Sequence, residues 1–210
     1  MSAFIVVADD KQIVVAADTL VVRKESGCYI PINYTSKIHP LLSKNSVILG
    51  VGCYQAIQRW CEIADQAIIA RDIETLDKYS APLMKKRLIG EFGDTYACIY
   101  QIGFDSKGNT RAYKYDSEEG YVGKAIDGKV FFRPGDVDVM KCFEGAPDVH
   151  TALYRCLCSL KEADSKETAD GSSSIGGHME LLIMHDGSYS LERYKPFDEY
   201  EENYQRMCDQ

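Results

Sequence analysis

Two apolar runs near the start of the chain, Ala3 to Val7 and Gln12 to Ala17, constrain the fold most. Only Ala8-Asp9-Asp10-Lys11 separates them, too short a link for a parallel crossover, so they read as an antiparallel hairpin. A sheet with one wet face would alternate apolar with polar residues. Both runs are instead apolar nearly throughout, which requires cover on both faces.

The remaining sequence supplies that cover. Cys28 to Ile38 reads as extended, and Val47-Ile48-Leu49-Gly50-Val51-Gly52 as a buried strand ending in glycines. From Tyr54 to Arg71 the residues Ile57, Trp60, Ile63-Ala64 and Ala67-Ile68 recur at helical spacing. A second helix is expected to begin near Ser80-Ala81-Pro82, with the serine as cap and the proline in the first turn. Tyr96 to Phe104 and Arg111 to Tyr115 form a hairpin about Asp105-Ser106-Lys107-Gly108-Asn109, and Lys129 to Phe132 is strand-like. Pro147 opens a helix carrying Val149, Leu153, Cys156-Leu157 and Leu160. A polar loop, Asp164 to Ser174, leads to Gly176-Gly177, which allow close backbone approach at a strand entrance. The strands Met179 to Met184 and Tyr189 to Tyr194 then flank Asp186-Gly187.

Strands in blocks before and after helices predict an α+β fold of two stacked antiparallel sheets with helices on the outer faces. No repeat or low-complexity linker divides the chain. Residues 1–210 therefore read as one domain, with 196–210 an acidic, tyrosine-bearing tail that reads as a solvated end or a contact with a neighbouring subunit.

A chain of 210 residues buries a core without staples. Its net charge of −8 argues against nucleic acid as a partner. No apolar stretch reaches the length of a membrane span and no signal-type segment opens the chain, so the expected location is the cytosol, or also the nucleus in a eukaryote. The eight cysteines are scattered among apolar neighbours and read as free thiols in a reducing compartment. Residues two apart on a helix do not face each other, so Cys156 and Cys158 make no metal pair. The four histidines never reach a metal-ligand spacing, and His178 and His185 read as surface or turn residues. No metal or cofactor is expected.

Ser2 raises the chemical question. With Met1 removed it would carry a free α-amine of pKa roughly 7.7–8.0, close to its own hydroxyl. Nucleophile and base would then come from one residue. Asp18 ends the strand antiparallel to the one starting at Ser2, so the tight turn brings its carboxylate to the chain start. Lys37 in "TSKIHP" is the candidate cation, which would depress the amine and hydroxyl pKa values; Lys24 and Lys44 compete for that role. Each residue also has a plainer meaning. Serine commonly follows an initiator methionine, Asp18-Thr19 could simply form a turn, and a lone lysine is usually solvated.

The segments "SAFIVVADDKQIVVAADT", "TSKIHPLLSKNSVILGVG", "GFDSKGNTRAYKYD" and "SSSIGGHMELLIMHDGSYSLERY" resemble, in this order, the β-type subunits of the proteasome among the N-terminal-nucleophile hydrolases. The resemblance implies a four-layer αββα sandwich and a closed ring enclosing a proteolytic chamber. It implies a peptide or unfolded-protein substrate and homo- or hetero-oligomeric partners. It places Ser2 at the family's nucleophilic threonine, with Asp18 and Lys37 beside it. Asp170 and Ser174 are carried over from the family's Asp-x-x-Ser-Gly-Gly, and Gly50 and Gly52 lie near its oxyanion-binding backbone. The chain departs from the pattern in four places. It is a few residues longer between Asp18 and Lys37, has Arg133-Pro134-Gly135-Asp136 for a serine-glycine segment, puts Ile175 before the glycine pair, and is shorter between Tyr54 and Phe92. Three functions follow as alternatives: a peptide hydrolase using Ser2, a catalytically silent ring subunit, or a hydrolase of small amides.

Overall fold

The computed structural model describes residues 3–128, 130–133 and 138–209. The opening hairpin forms as its composition demands. Strand β1 (Phe4–Ala8) pairs antiparallel with β2 (Gln12–Asp18), Phe4 opposite Ala17 and Ala8 opposite Ile13. The Asp9 carboxylate accepts from Lys11 N at 2.7 Å and Gln12 N at 2.8 Å, an aspartate closing the turn on its own backbone. Ile5, Val6, Ile13, Val15 and Ala16 are fully buried, so both faces are covered.

The hairpin is the interior of a five-stranded sheet. Strand β10 (Val130–Arg133) pairs with β1, β11 (His178–His185) with β2, and β12 (Ser188–Pro196) with β11, all antiparallel. A second five-stranded antiparallel sheet runs in the order β5 (His39–Leu41), β6 (Ser46–Gly52), β7 (Ala97–Phe104), β8 (Thr110–Asp116) and β9 (Gly123–Ala125). Between the sheets in sequence lies a separate hairpin, β3 (Leu20–Glu25) with β4 (Cys28–Tyr34). The helices are α1 (Tyr54–Gln66), α2 (Ile73–Phe92), α3 (Val139–Phe143), α4 (Val149–Ser165) and α5 (Tyr200–Cys208). None is long and apolar enough to cross a membrane.

The strand period of two sorts the apolar residues into three buried clusters. Phe4, Val6, Val15 and Leu182 of the first sheet meet Val47, Leu49, Tyr100 and Ile102 of the second. Ile48 and Ile99, on the opposite face of the second sheet, pack with Ile57, Trp60, Leu76, Met84 and Leu88 of α1 and α2. Ile5, Val14, Ala16 and Leu181, on the opposite face of the first, pack with Leu153, Leu157 and Leu160 of α4. The mixed α+β class with antiparallel sheets is thus as the element order implied.

Several boundaries differ from the sequence reading. Helix α1 stops at Gln66, before Arg71. Helix α2 begins at Ile73, not near Ser80, because the Asp72 carboxylate caps it by accepting from Thr75 N at 2.8 Å. Pro82 lies inside that helix, and Ser80 is no cap: its hydroxyl donates back to Leu76 O at 2.8 Å. The stretch Cys28 to Ile38 is strand only as far as Tyr34. The tail is not merely a solvated end, since α5 stacks Tyr200 on Tyr34, ring centroids 4.9 Å apart. Lys129, the first residue of one expected strand, and Pro134 to Asp136 lie outside the described residues.

Candidate functional site

Asp18 is the last residue of β2 and is fully buried. A buried carboxylate needs partners on every lone pair it can offer. Asp18 Oδ1 accepts from Ala3 N at 2.9 Å, and Oδ2 from Leu20 N and Gly176 N, each at 3.1 Å. The Lys37 ammonium donates to both oxygens at 2.8 Å. One carboxylate therefore ties together the start of β1, the start of β3, the loop before β11, and a buried cation.

Lys37 reaches this position from the short segment between β4 and β5. Thr35 N donates to Thr19 O at 2.9 Å, and the Ser36 hydroxyl bonds to its own turn at Ile38. Burial pushes the Lys37 amine below the ordinary lysine pKa; the charges of Asp18 and, more weakly, Asp164 oppose that shift. Neither competing lysine meets Asp18. Lys24 is exposed, over the Tyr29 ring. Lys44 is buried, but its ammonium donates to Asp65 O at 2.9 Å, near the last turn of α1.

Ser174 is also fully buried. Its N–H and hydroxyl donate to Asp164 Oδ2 at 2.6 and 2.9 Å, and the Ser173 hydroxyl adds a third bond at 2.7 Å. Asp170, the residue carried over for this neighbourhood, lies elsewhere. It is exposed, accepts from Ser172 N at 3.0 Å and contacts Cys28; the Ser172 bonds hold its pKa down at about 2. The aspartate joined to Ser174 is therefore Asp164. The motif spacing missed it because Asp164 comes from the end of α4, ten residues upstream. Its signal was periodicity: four residues beyond Leu160, it continues the inward stripe of that helix.

The glycine pair works by close approach. Gly177 has φ +79°, and a Cβ there would come within 2.3 Å of Thr19 Oγ1 and 2.8 Å of Tyr34 Cδ1. That proximity lets Gly176 N reach Asp18. Gly50 and Gly52 have packing reasons instead. A Cβ on Gly50 would meet Ile57 at 2.7 Å, and one on Gly52, at φ +101°, would meet Tyr96 O at 2.4 Å. Among the described residues no hydrogen bond joins either to the Asp18–Lys37 pair.

A second cation near the chain start was not anticipated. Arg133 pairs with Phe4 across β10 and β1, and its Nε donates to the Tyr100 hydroxyl at 2.9 Å. Tyr100 packs edge-on against Phe4, centroids 5.0 Å apart. Ser2 lies outside the described residues. Among the described residues, no three His, Cys, Asp or Glu side chains gather into a metal-holding group.

The sequence matches no protein-family model and no curated protein. Solved structures do resemble it. An Anbu (Gly-1) mutant from Hyphomicrobium sp. strain MC1 matches with a TM-score of 0.64 and 13% identity, covering 100% of this chain and 93% of that one. Anbu (ancestral β-subunit) from Yersinia bercovieri matches with a TM-score of 0.63 and 10% identity, over 99% and 92%. These neighbours correct the expected assignment to proteasome β-type subunits: the likeness is to the distinct, proteasome-like Anbu proteins. At such identities it shows the fold alone.

Proposed function

We propose that this chain is an amide-bond hydrolase of the N-terminal-nucleophile type on an Anbu-like scaffold, cleaving peptides with Ser2 once Met1 is removed. One observation carries the reading: a single buried carboxylate, Asp18, holds both the Lys37 ammonium and the nitrogen of Ala3, the atom to which residue 2 is covalently joined. A fixed cation at the start of the first strand is what a terminal serine needs to ionise.

In the proposed reaction the Ser2 hydroxyl passes its proton to the α-amine, directly or through one water, as its oxygen attacks the amide carbon. The ammonium then protonates the leaving nitrogen, giving an ester on Ser2 and an amine product. Water, deprotonated by the same amine, attacks the ester; the acyl group leaves as a carboxylic acid and the amine returns its proton to the Ser2 oxygen. Lys37 stays charged and stabilises the oxygen's developing charge. Asp18 positions it, and the Asp164–Ser174 bonds fix the loop that supplies Gly176 N.

The finer architecture belongs to the same proposal. Three buried clusters, one between the sheets and one under each helical group, support a four-layer αββα arrangement. The Yersinia bercovieri relative is described as a β-subunit, which supports an oligomeric ring of related chains. Eight free thiols support a reducing, cytosolic setting.

The test is mass spectrometry after incubation with an epoxyketone, which captures an adjacent hydroxyl and amine together. The expected result is loss of Met1 and one adduct on Ser2, greatly slowed in Lys37→Met. A retained Met1, or a free Ser2 that stays unmodified, removes the catalytic reading and leaves a silent subunit.

A further inference from the structure

We infer that the outer edge of β12 is a contact surface for a second copy of this chain, paired antiparallel about a two-fold axis at Leu191. The strand ends its sheet, so β11 satisfies only one side of its backbone. Among the described residues, no backbone hydrogen bond from any element other than β11 reaches Ser188 to Lys195. All nine residues are exposed, including Tyr189, Leu191 and Tyr194 at 41%, 40% and 40%.

Open edges of this length are normally guarded by charges pointing into the path of an approaching strand. Here the charges are paired with groups of the chain's own β11 and α4, although the Glu192 and Arg193 side chains stay 55% and 58% exposed. Glu192 lies 2.9 Å from His150 Nε2, and Arg193 donates to the buried carboxylate of Glu180 at 3.2 Å. The Lys195 ammonium sits 3.8 Å from the centroid of the Tyr154 ring. The middle of the edge is left with Tyr189 and Leu191.

The strand's own order selects a second copy as occupant and fixes the register. A two-fold axis perpendicular to the sheet keeps each face on its own side, so directly opposed residues come from the same face. Centring on Glu192 opposes two glutamates, and centring on Arg193 opposes two arginines. Like charges directly opposite are destabilising. Tyr194 and Lys195 cannot centre a regular pairing, because the β-bulge between Arg193 and Pro196 breaks the alternation there. Centring on Leu191 sets Leu191 on Leu191, Tyr189 against the second copy's Arg193, and Ser190 against its Glu192, with no like charges opposed. A Ser190 centre also avoids them but leaves Tyr194 unpaired. Such a contact closes on itself, unlike the head-to-tail contacts of a ring, and does not rest on the hydrolase reading.

Sedimentation equilibrium of the full chain at micromolar concentration tests it, with thermal melts as the folding control. Leu191→Lys, at a half-exposed site, is expected to weaken self-association at least tenfold while leaving secondary structure intact. In a Cys208→Ser background, peroxide is expected to join Leu191→Cys to its own copy, two thiols and one peroxide giving a disulfide and two waters. Opposed Cα atoms lie about 4.5–5.5 Å apart, within disulfide range. Tyr189→Cys would lie four residues out of step with itself, roughly 14 Å, and is expected not to link. A chain that stays monomeric, association indifferent to Leu191→Lys, or peptide mapping that finds position 189 linked as readily as 191 overturns the inference.

Discussion

Lys37 and Asp18 combine a heavy desolvation cost with saturated geometry: both carboxylate oxygens meet the same ammonium, and backbone N–H groups occupy the remaining lone pairs. Breaking a buried pair from one side leaves an uncompensated charge. Lys37→Met is therefore expected to lower stability by about 3–5 kcal/mol, read as a shift in the urea midpoint. Asp164 and Asp170 give a second residue-level contrast. All three described bonds to Asp164 end on Oδ2, so asparagine can keep an acceptor there. Asp164→Asn is expected to cost about 1 kcal/mol and Asp164→Ala about 2–3, because alanine strands the Ser174 N–H in the interior. Asp170 is exposed, so its bond from Ser172 N competes with water, and Asp170→Ala is expected to move the midpoint less than Asp164→Ala does. A larger loss from Asp170→Ala than from Asp164→Ala would remove Asp164 from its place beside Ser174.

At the level of elements, α2 and the glycine pair invite direct tests. Pro82 can offer no N–H to the turn before it, yet α2 runs through it, held by Met84 and Leu88 in the core. Pro82→Ala is expected to raise stability by about 1–3 kcal/mol, and Asp72→Ala to lower it by about 1 kcal/mol, both measurable by thermal and urea unfolding. Gly177→Ala would force a side chain into a left-handed backbone and against Thr19; a soluble variant of unchanged stability would contradict the packing described for that loop. The sequence carried elements whose signal is local. The doubly apolar hairpin, the β7–β8 turn and the α4 stripe were legible because burial writes itself as periodicity. Helix α2 was misplaced because a serine before a proline imitates a helix start, while the true cap, Asp72, precedes a run that mixes charged and apolar residues. Asp18 could be named because it ends an apolar strand, and Lys37 because "TSKIHP" belongs to a segment that carries the family resemblance. Asp164 and Arg133 could not, since their partners Ser174 and Tyr100 are settled only by tertiary packing.

For the molecule as a whole, each five-stranded sheet carries one partly buried histidine whose titration should mark global stability. His39, on the edge strand β5, is partly buried, and desolvation holds its pKa below the ordinary 6.5, against the opposing charge of Glu180. His178, at the start of β11 and edge-on to Tyr200, is lowered too, by burial and then by Arg193. The unfolded chain takes up these protons near pH 6.5, whereas the folded chain resists until lower pH. Above 6.5 both states are neutral and the full stability is present. As pH falls below 6.5 the unfolded state gains protons first and stability declines, levelling off only once the folded histidines are also charged. Carboxylates add their own acid dependence, so the informative quantity is the difference between proteins. Urea midpoints for the native chain and for His39→Gln, measured between pH 7.5 and about 5, are expected to converge or cross as pH falls, the variant losing less. Adding His178→Gln should flatten the profile further. Parallel profiles at every pH would mean that these imidazoles are as accessible to protons folded as unfolded, contrary to the close packing of β5 and the β11 entrance.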